Sequence, residues 1–274
     1  MRAFLTAFFV LLPGFAFAQV EHTPAHCLAM VQNEPVIQQA SSQALVKDEV
    51  RITFIDHAMY RIDTFGGHSV VTDFNGFIGL DAEVPNIVTM NRAHDSHFTS
   101  NIPEGVEHVL RGWAPQGQPA VHDLDLGELR VRNVTTDIRS SWSGSQPDGN
   151  SIFIFEVGGL CIGHLGHLHH EPSDEQYAMI GRLDVVMTNV DGGLSLNTET
   201  VLKIMNRVRA SVVLPMHYWG RASLSRFLDG MRENFEILDV ESGSIIVSQD
   251  TLPIRPTVYV LPPTLYRNSA FEEN

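Results

Sequence analysis

From Glu49 onward apolar and polar residues alternate with period two. Val50, Ile52 and Phe54 are separated by Arg51 and Thr53, the pattern of a strand with one buried face. Residues 60–63 predict a second strand, turned by Gly66-Gly67, and residues 69–73 a third. Further strand runs occupy 86–89, 128–134, 151–157 and 160–163. Gly158-Gly159 separates the last two and predicts a two-residue hairpin. The second part of the chain changes character. Residues 173–180 predict a short helix, and 183–188 an apolar strand followed by Asp191-Gly192-Gly193. Over 198–209, Val201, Ile204, Met205 and Val208 fall at helical spacing, with Thr198 or Asn197 as N-cap. Residues 210–215, 243–248 and 257–261 predict strands, and 223–235 an amphipathic helix. Strand clusters followed by strand–helix alternation predict a layered α/β protein. No linker rich in Pro, Gly or Ser divides it, so residues 49–262 are expected to form one domain. A polar lead-in at 19–48 precedes it, and a tail at 263–274 follows.

The first residues follow a different logic. Arg2, an apolar run over 3–12 and Ala16-Phe17-Ala18 have the form of a secretory signal peptide, residues 1–18, cut after Ala18. The run is too short for a membrane anchor, and no other stretch approaches the roughly 18 apolar residues a span requires. The expected location is the bacterial periplasm, with no membrane association after cleavage. There Cys27 and Cys161 can pair, or Cys161 can remain a buried thiol in its strand.

Charge and composition narrow the function. The chain has 18 Lys and Arg against 32 Asp and Glu, a net charge of -14, which argues against nucleic acid as a partner and favours a small-molecule substrate. Two cysteines exclude a four-cysteine zinc module. There is no G-x-S-x-G elbow, no G-x-G-x-x-G and no Walker A sequence. The chain does carry 13 His, and eight of them collect where strands end. His57 follows the first strand, and His94 and His97 follow 86–89. His164, His167, His169 and His170 follow 160–163, and His217 follows 210–215. Imidazoles delivered by four loops on one scaffold suit a transition-metal site.

Six segments in order resemble the metallo-β-lactamase fold superfamily, in particular its branch of ascorbate-6-phosphate lactonase-like hydrolases. They are Phe54-Ile55-Asp56-His57-Ala58, Val71-Thr72-Asp73, residues 88–97, His164-Leu165-Gly166-His167-Leu168, Val190-Asp191-Gly192-Gly193 and Pro215-Met216-His217-Tyr218. The resemblance covers about residues 49–262. It implies a four-layer αββα sandwich and a two-metal hydrolytic site. The chain departs from the family's His-x-His-x-Asp-His motif. Arg92 replaces its first His, Ser96 its Asp, and His167 replaces the bridging Asp of the next signature. An arginine keeps its charge and cannot ligate a metal, but it can bind an anion. The remaining set is His94, His97, His164, His167 and His217, with Asp191 as an oxygen ligand, which suits one metal better than two. Zinc is the first expectation, and iron, manganese or copper also accept such ligands. Asp191 or His167 would serve as base, Arg92 and His57 would face substrate, and Asp73 would brace a ligating imidazole or end a turn. The expected activity is metal-dependent hydrolysis of a small ester, lactone or phosphoester. The alternative is a non-catalytic metal-binding or sensing protein on the same fold.

Overall fold

A computed structural model describes residues 25–28, 38–39, 44–92, 94–114, 118–140 and 144–265. The signal peptide, most of the lead-in, Trp142 and most of the tail lie outside them. Two mixed sheets form the centre. The first contains β1 (Gln38–Gln39), β2 (Val50–Asp56), β3 (Met59–Thr64), β4 (Ser69–Val71), β5 (Ile87–Met90) and β6 (His108–Arg111). The second contains β7 (Asp123–Asp125), β8 (Leu129–Ser140), β9 (Gly144–Val157), β10 (Leu160–His164), β11 (Val185–Asn189), β12 (Val212–Met216) and β13 (Glu236–Asp239). Next, β14 (Ser244–Val247) returns to the first sheet, giving the order β1-β14-β2-β3-β4-β5-β6. Finally β15 (Thr257–Val260) inserts into the second, which runs β13-β15-β12-β11-β10-β9-β8-β7.

The alternation in the sequence decides which face each residue covers. Val50, Ile52, Phe54, Val70 and Ile87 point between the sheets, where they meet Phe153, Phe155, Met187 and Leu214. Central strands β11 and β12 are buried on both sides, which is why they read as unbroken apolar runs. Their other residues, Val186 and Val213, pack under Val201, Ile204, Phe227 and Met231 of the helices. Those helices are α2 (Thr198–Val208) and α3 (Arg221–Met231), joined by α1 (Asp174–Ile180). The outer face of the first sheet, with Val71, Val88 and Met90, is covered by loop residues including Ile78, Phe98, Ile102 and Trp113. Among the described residues no helix covers that face, so the expected α/β sandwich carries its helices on one side. No described helix is long and apolar enough to cross a membrane.

The expected hairpin joins β9 to β10, with Gly158 at φ 56° and Gly159 at φ 75°. A side chain at Gly158 would come within 2.7 Å of the Asp48 carbonyl. Asn197 caps α2, accepting from the Thr200 N–H. Strands β8 and β9 run beyond the expected 128–134 and 151–157 as a polar two-stranded ribbon. No apolar alternation announces that extension because most of it does not face the core. Cys27 and Cys161 are joined by a disulfide, tying the N-terminal segment to β10.

Candidate metal centre

The carboxyl ends of β2, β4, β5, β10, β11 and β12 open on one edge of the sandwich, the usual place for a site in a layered α/β fold. Three of these ends bend sharply. His57, Asp73 and His217 all hold left-handed backbone angles, φ 52°, 44° and 55°. Non-glycine residues adopt that region at a cost, and such strain collects at functional sites. The His217 N–H donates to the His57 carbonyl at 2.7 Å, locking the β2–β3 turn to the end of β12. After β5, the Asn91 N–H donates to the His97 carbonyl and the His97 N–H to the His94 carbonyl. This closed loop turns both histidines to one side.

Four imidazoles converge there. His94, His97, His167 and His217 each place one ring nitrogen within 4.8 Å of the others. Two are braced alike. His97 Nδ1–H donates to Asp73 at 2.6 Å, and His217 Nδ1–H donates to Asp191 at 2.9 Å. Each therefore carries its lone pair on Nε2, and both Nε2 atoms are buried with no hydrogen-bond partner. A buried nitrogen lone pair without a partner is costly, so its natural complement is a cation. His94 Nε2 lies 3.2 Å from His167 Nε2, while its Nδ1 meets Ser96 Oγ at 2.7 Å. Ser96 also contacts His57 Nε2 at 3.1 Å. The donor set is entirely nitrogen and fits zinc or another transition metal.

The electrostatics favour the neutral form of His94, His97 and His167, as metal ligation requires. Burial, then the neighbouring His217, His97 and His94, push His57 down to about 3. Burial, followed by His217, holds His97 well below its ordinary value and lowers His94. Burial, then His97 and His217, lowers His167. Burial alone would raise Asp191. Hydrogen bonds from His217, Ser195 and the Gly193 backbone override it and hold the carboxyl well below the usual range.

Two expected ligands sit elsewhere. His164 is fully buried but both its nitrogens are committed. Its Nε2–H donates to the Ala58 carbonyl at 2.8 Å, and Nδ1 accepts from the Gly166 N–H at 3.1 Å. It pins the β2–β3 turn to β10 instead of facing the cluster. Asp191 also does not face it as a ligand or base. One oxygen accepts from the N–H groups of Gly193, Leu194 and Ser195, and the other from the Ser195 hydroxyl and His217. Asp191 is instead the brace behind His217, as Asp73 is behind His97. Arg92 lies exposed in the loop that carries His94 and His97. Trp113 packs against Phe98, and Tyr218 against both main cores.

The sequence pattern did not single out several residues that build the site. Asn91 Nδ2 donates to Asp73 at 2.8 Å, and its Oδ1 accepts from the Ser151 N–H at 2.7 Å. Asn150 Oδ1 accepts from the His167 N–H at 2.7 Å. A side chain at Gly166, φ 62°, would strike both asparagines at 2.4 Å. A polar Asn directly after the apolar run 87–90 was the available signal for Asn91. Trp219 is 70% exposed, with its ring 4.8 Å from that of His57 at the rim.

Comparison with known proteins accords with this geometry. The model of the beta-lactamase superfamily domain matches residues 51–217, from β2 to the last site histidine. A UPF0173 metal-dependent hydrolase of Methanoculleus marisnigri is 25% identical over 203 residues, 68% of this chain and 89% of that protein. A second, from Methanosphaerula palustris, is 23% identical over 68% of this chain and 92% of its own length. A Thermotoga maritima structure of the metallo-β-lactamase superfamily, 22% identical, superposes with a TM-score of 0.54 over 77% of this chain and 98% of that chain. By fold, site position and the match across most of the domain, the chain belongs to the metallo-β-lactamase superfamily.

Proposed function

We propose that the protein is a periplasmic metal-dependent hydrolase of a small ester, lactone or phosphoester, with zinc as its first-choice ion. The observation that carries this is the pair of partnerless buried nitrogens, His97 Nε2 and His217 Nε2, aimed at the point that His94 also faces. A bound ion would polarise the scissile group and bring the pKa of water near neutrality. The chain's own residues position and orient. Asp73 and Asp191 fix two ligand tautomers, and Ser96 holds His94. His94 is the exposed member of the cluster, so substrate enters on its side, past Trp219 and Arg92. The exposed guanidinium suits an anionic substituent on the substrate. The relatives' description as metal-dependent hydrolases supports the reading. The leader pattern supports export, and the Cys27–Cys161 disulfide is at home in an oxidising compartment.

One observation favours a second reading, a metal-binding protein without turnover. The Asp191 carboxylate is consumed by its own loop and His217, and the converging set of His94, His97, His167 and His217 holds no carboxylate. The test is a panel of lactones, phosphoesters and β-lactams, each with and without chelator. Chelator-sensitive turnover, with a raised KM in Arg92→Ala, is the expected result. A protein that binds metal tightly yet turns over none of the panel would establish the second reading.

A further inference from the structure

Resting on the metal-centre reading, we propose that His167 is the site's hydrogen-bond donor and not its fourth ligand, because His169 fixes its proton on Nε2. The argument follows hydrogen-bond polarity inward from the backbone. The Arg139 N–H on β8 can only donate, and it points at His169 Nδ1 at 2.6 Å. A neutral His169 therefore carries its proton on Nε2. That Nε2–H lies 2.6 Å from His167 Nδ1, which must accept it. His167 in turn keeps its proton on Nε2, the nitrogen aimed into the cluster. This is the reverse of His97 and His217, where a carboxylate takes the Nδ1–H and leaves the Nε2 lone pair free.

For His167 Nε2 to ligate, Nδ1 would need the proton. His169 would then face an N–H on both sides, which a neutral imidazole cannot satisfy. The same polarity continues across the site. His167 Nε2–H points at His94 Nε2 at 3.2 Å, His94 Nδ1–H donates to Ser96, and Ser96 Oγ–H donates to His57 Nε2. Once His94 gives its lone pair to a cation, the His167 N–H is released for another acceptor. The acceptor chemistry that fits is the carbonyl or phosphoryl oxygen of a bound ester, lactone or phosphoester, which gains negative charge as it is attacked. His167 is thus a catalytic residue, and His169 is a positioning residue acting through it.

The experiment measures Co(II) affinity of the full-length mature protein and its variants, with histidine 15N shifts of the Zn(II) form to report tautomers. His94→Ala, His97→Ala and His217→Ala should each weaken Co(II) binding 100-fold or more, while His167→Ala and His167→Gln stay within threefold. In the wild-type Zn(II) form His167 should show a protonated Nε2 and a bare Nδ1. His169→Glu offers an acceptor to Nδ1 and should turn His167 into a ligand, tightening Co(II) binding at least tenfold. The neighbouring exposed His170→Glu is the control for added charge, and His169→Gln, which keeps a donor, should leave His167 protonated on Nε2. Loss of affinity in His167→Ala equal to that of the other three, or a bare Nε2 in the Zn(II) form, would overturn the inference and leave the metal centre standing. Indifference of all four alanine variants would overturn the metal centre itself, and this inference with it.

Discussion

Asp73→Asn isolates the contribution of a buried brace, because it changes hydrogen-bond polarity and charge with almost no change in shape. Asp73 is fully buried, and its two oxygens accept from His97 Nδ1 at 2.6 Å and Asn91 Nδ2 at 2.8 Å. Asparagine supplies one acceptor and one NH2, so one of these contacts must become donor against donor. Asn91 cannot turn to relieve it. Its Oδ1 is held by the Ser151 N–H at 2.7 Å, and its Nδ2 also reaches the Ser151 carbonyl at 3.3 Å. The new NH2 therefore faces His97 and drives it to the tautomer with Nδ1 bare and Nε2 protonated. That removes the lone pair from the cluster. Loss of such a brace costs about 10- to 100-fold in metal affinity, or about 1.4–2.7 kcal/mol. Leaving one buried donor unsatisfied costs about 1–3 kcal/mol, so the two routes agree. The assay is Zn(II) competition against a chromophoric chelator, with melting temperature followed over a metal series. An Asp73→Asn protein that binds Zn(II) within threefold of wild type, with His97 still protonated on Nδ1, would refute the reasoning.

Asp191→Asn should be more damaging than Asp73→Asn, because Asp191 also organises Gly193, Leu194 and Ser195; a melting temperature lowered even without metal is the sign, and an unchanged one counts against it. Burial, the largest cause in each case, depresses His57 to about 3 and His169 to about 4. The folded protein then binds fewer protons than the unfolded chain below about pH 6.5. Stability should be fully present above that pH and fall as pH drops towards 4; a flat melting temperature between pH 7 and pH 4 would contradict this. Replacing both Cys27 and Cys161 by Ser opens a crosslink spanning 134 positions, worth about 5 kcal/mol in the chain-entropy account; a urea-unfolding loss below about 1 kcal/mol would reject that account. Intact-mass analysis of the periplasmic fraction should show a chain beginning at Gln19, and retention of Met1 would defeat the export reading.

Much of the scaffold was legible in the chain itself. Period two over 50–54, the apolar runs before Asp191 and His217, the helical spacing over 198–208 and the Gly158-Gly159 turn report burial and backbone freedom. Burial is what local pattern encodes, so element type and the core faces followed. The gathering of histidines at strand ends followed too, because a strand's end fixes which edge of the sandwich its loop reaches. The roles within that edge did not follow. His164 and His167 are three residues apart, yet one is locked to the Ala58 carbonyl and the other faces the cluster. Asp191 has the residue type of a ligand, but its loop turns every lone pair away from the cluster. The pairing of Cys27 with Cys161 was one of two open readings until the segments met. For the histidines and Asp191 the reason is the same. Ligation depends on which nitrogen or oxygen is left without a partner, and that is settled by donors such as the Arg139, Gly166 and Ser195 N–H groups. Those donors arrive from distant segments, the far end of β8 and the loops after β10 and β11, and their approach to the site carries no local period to read.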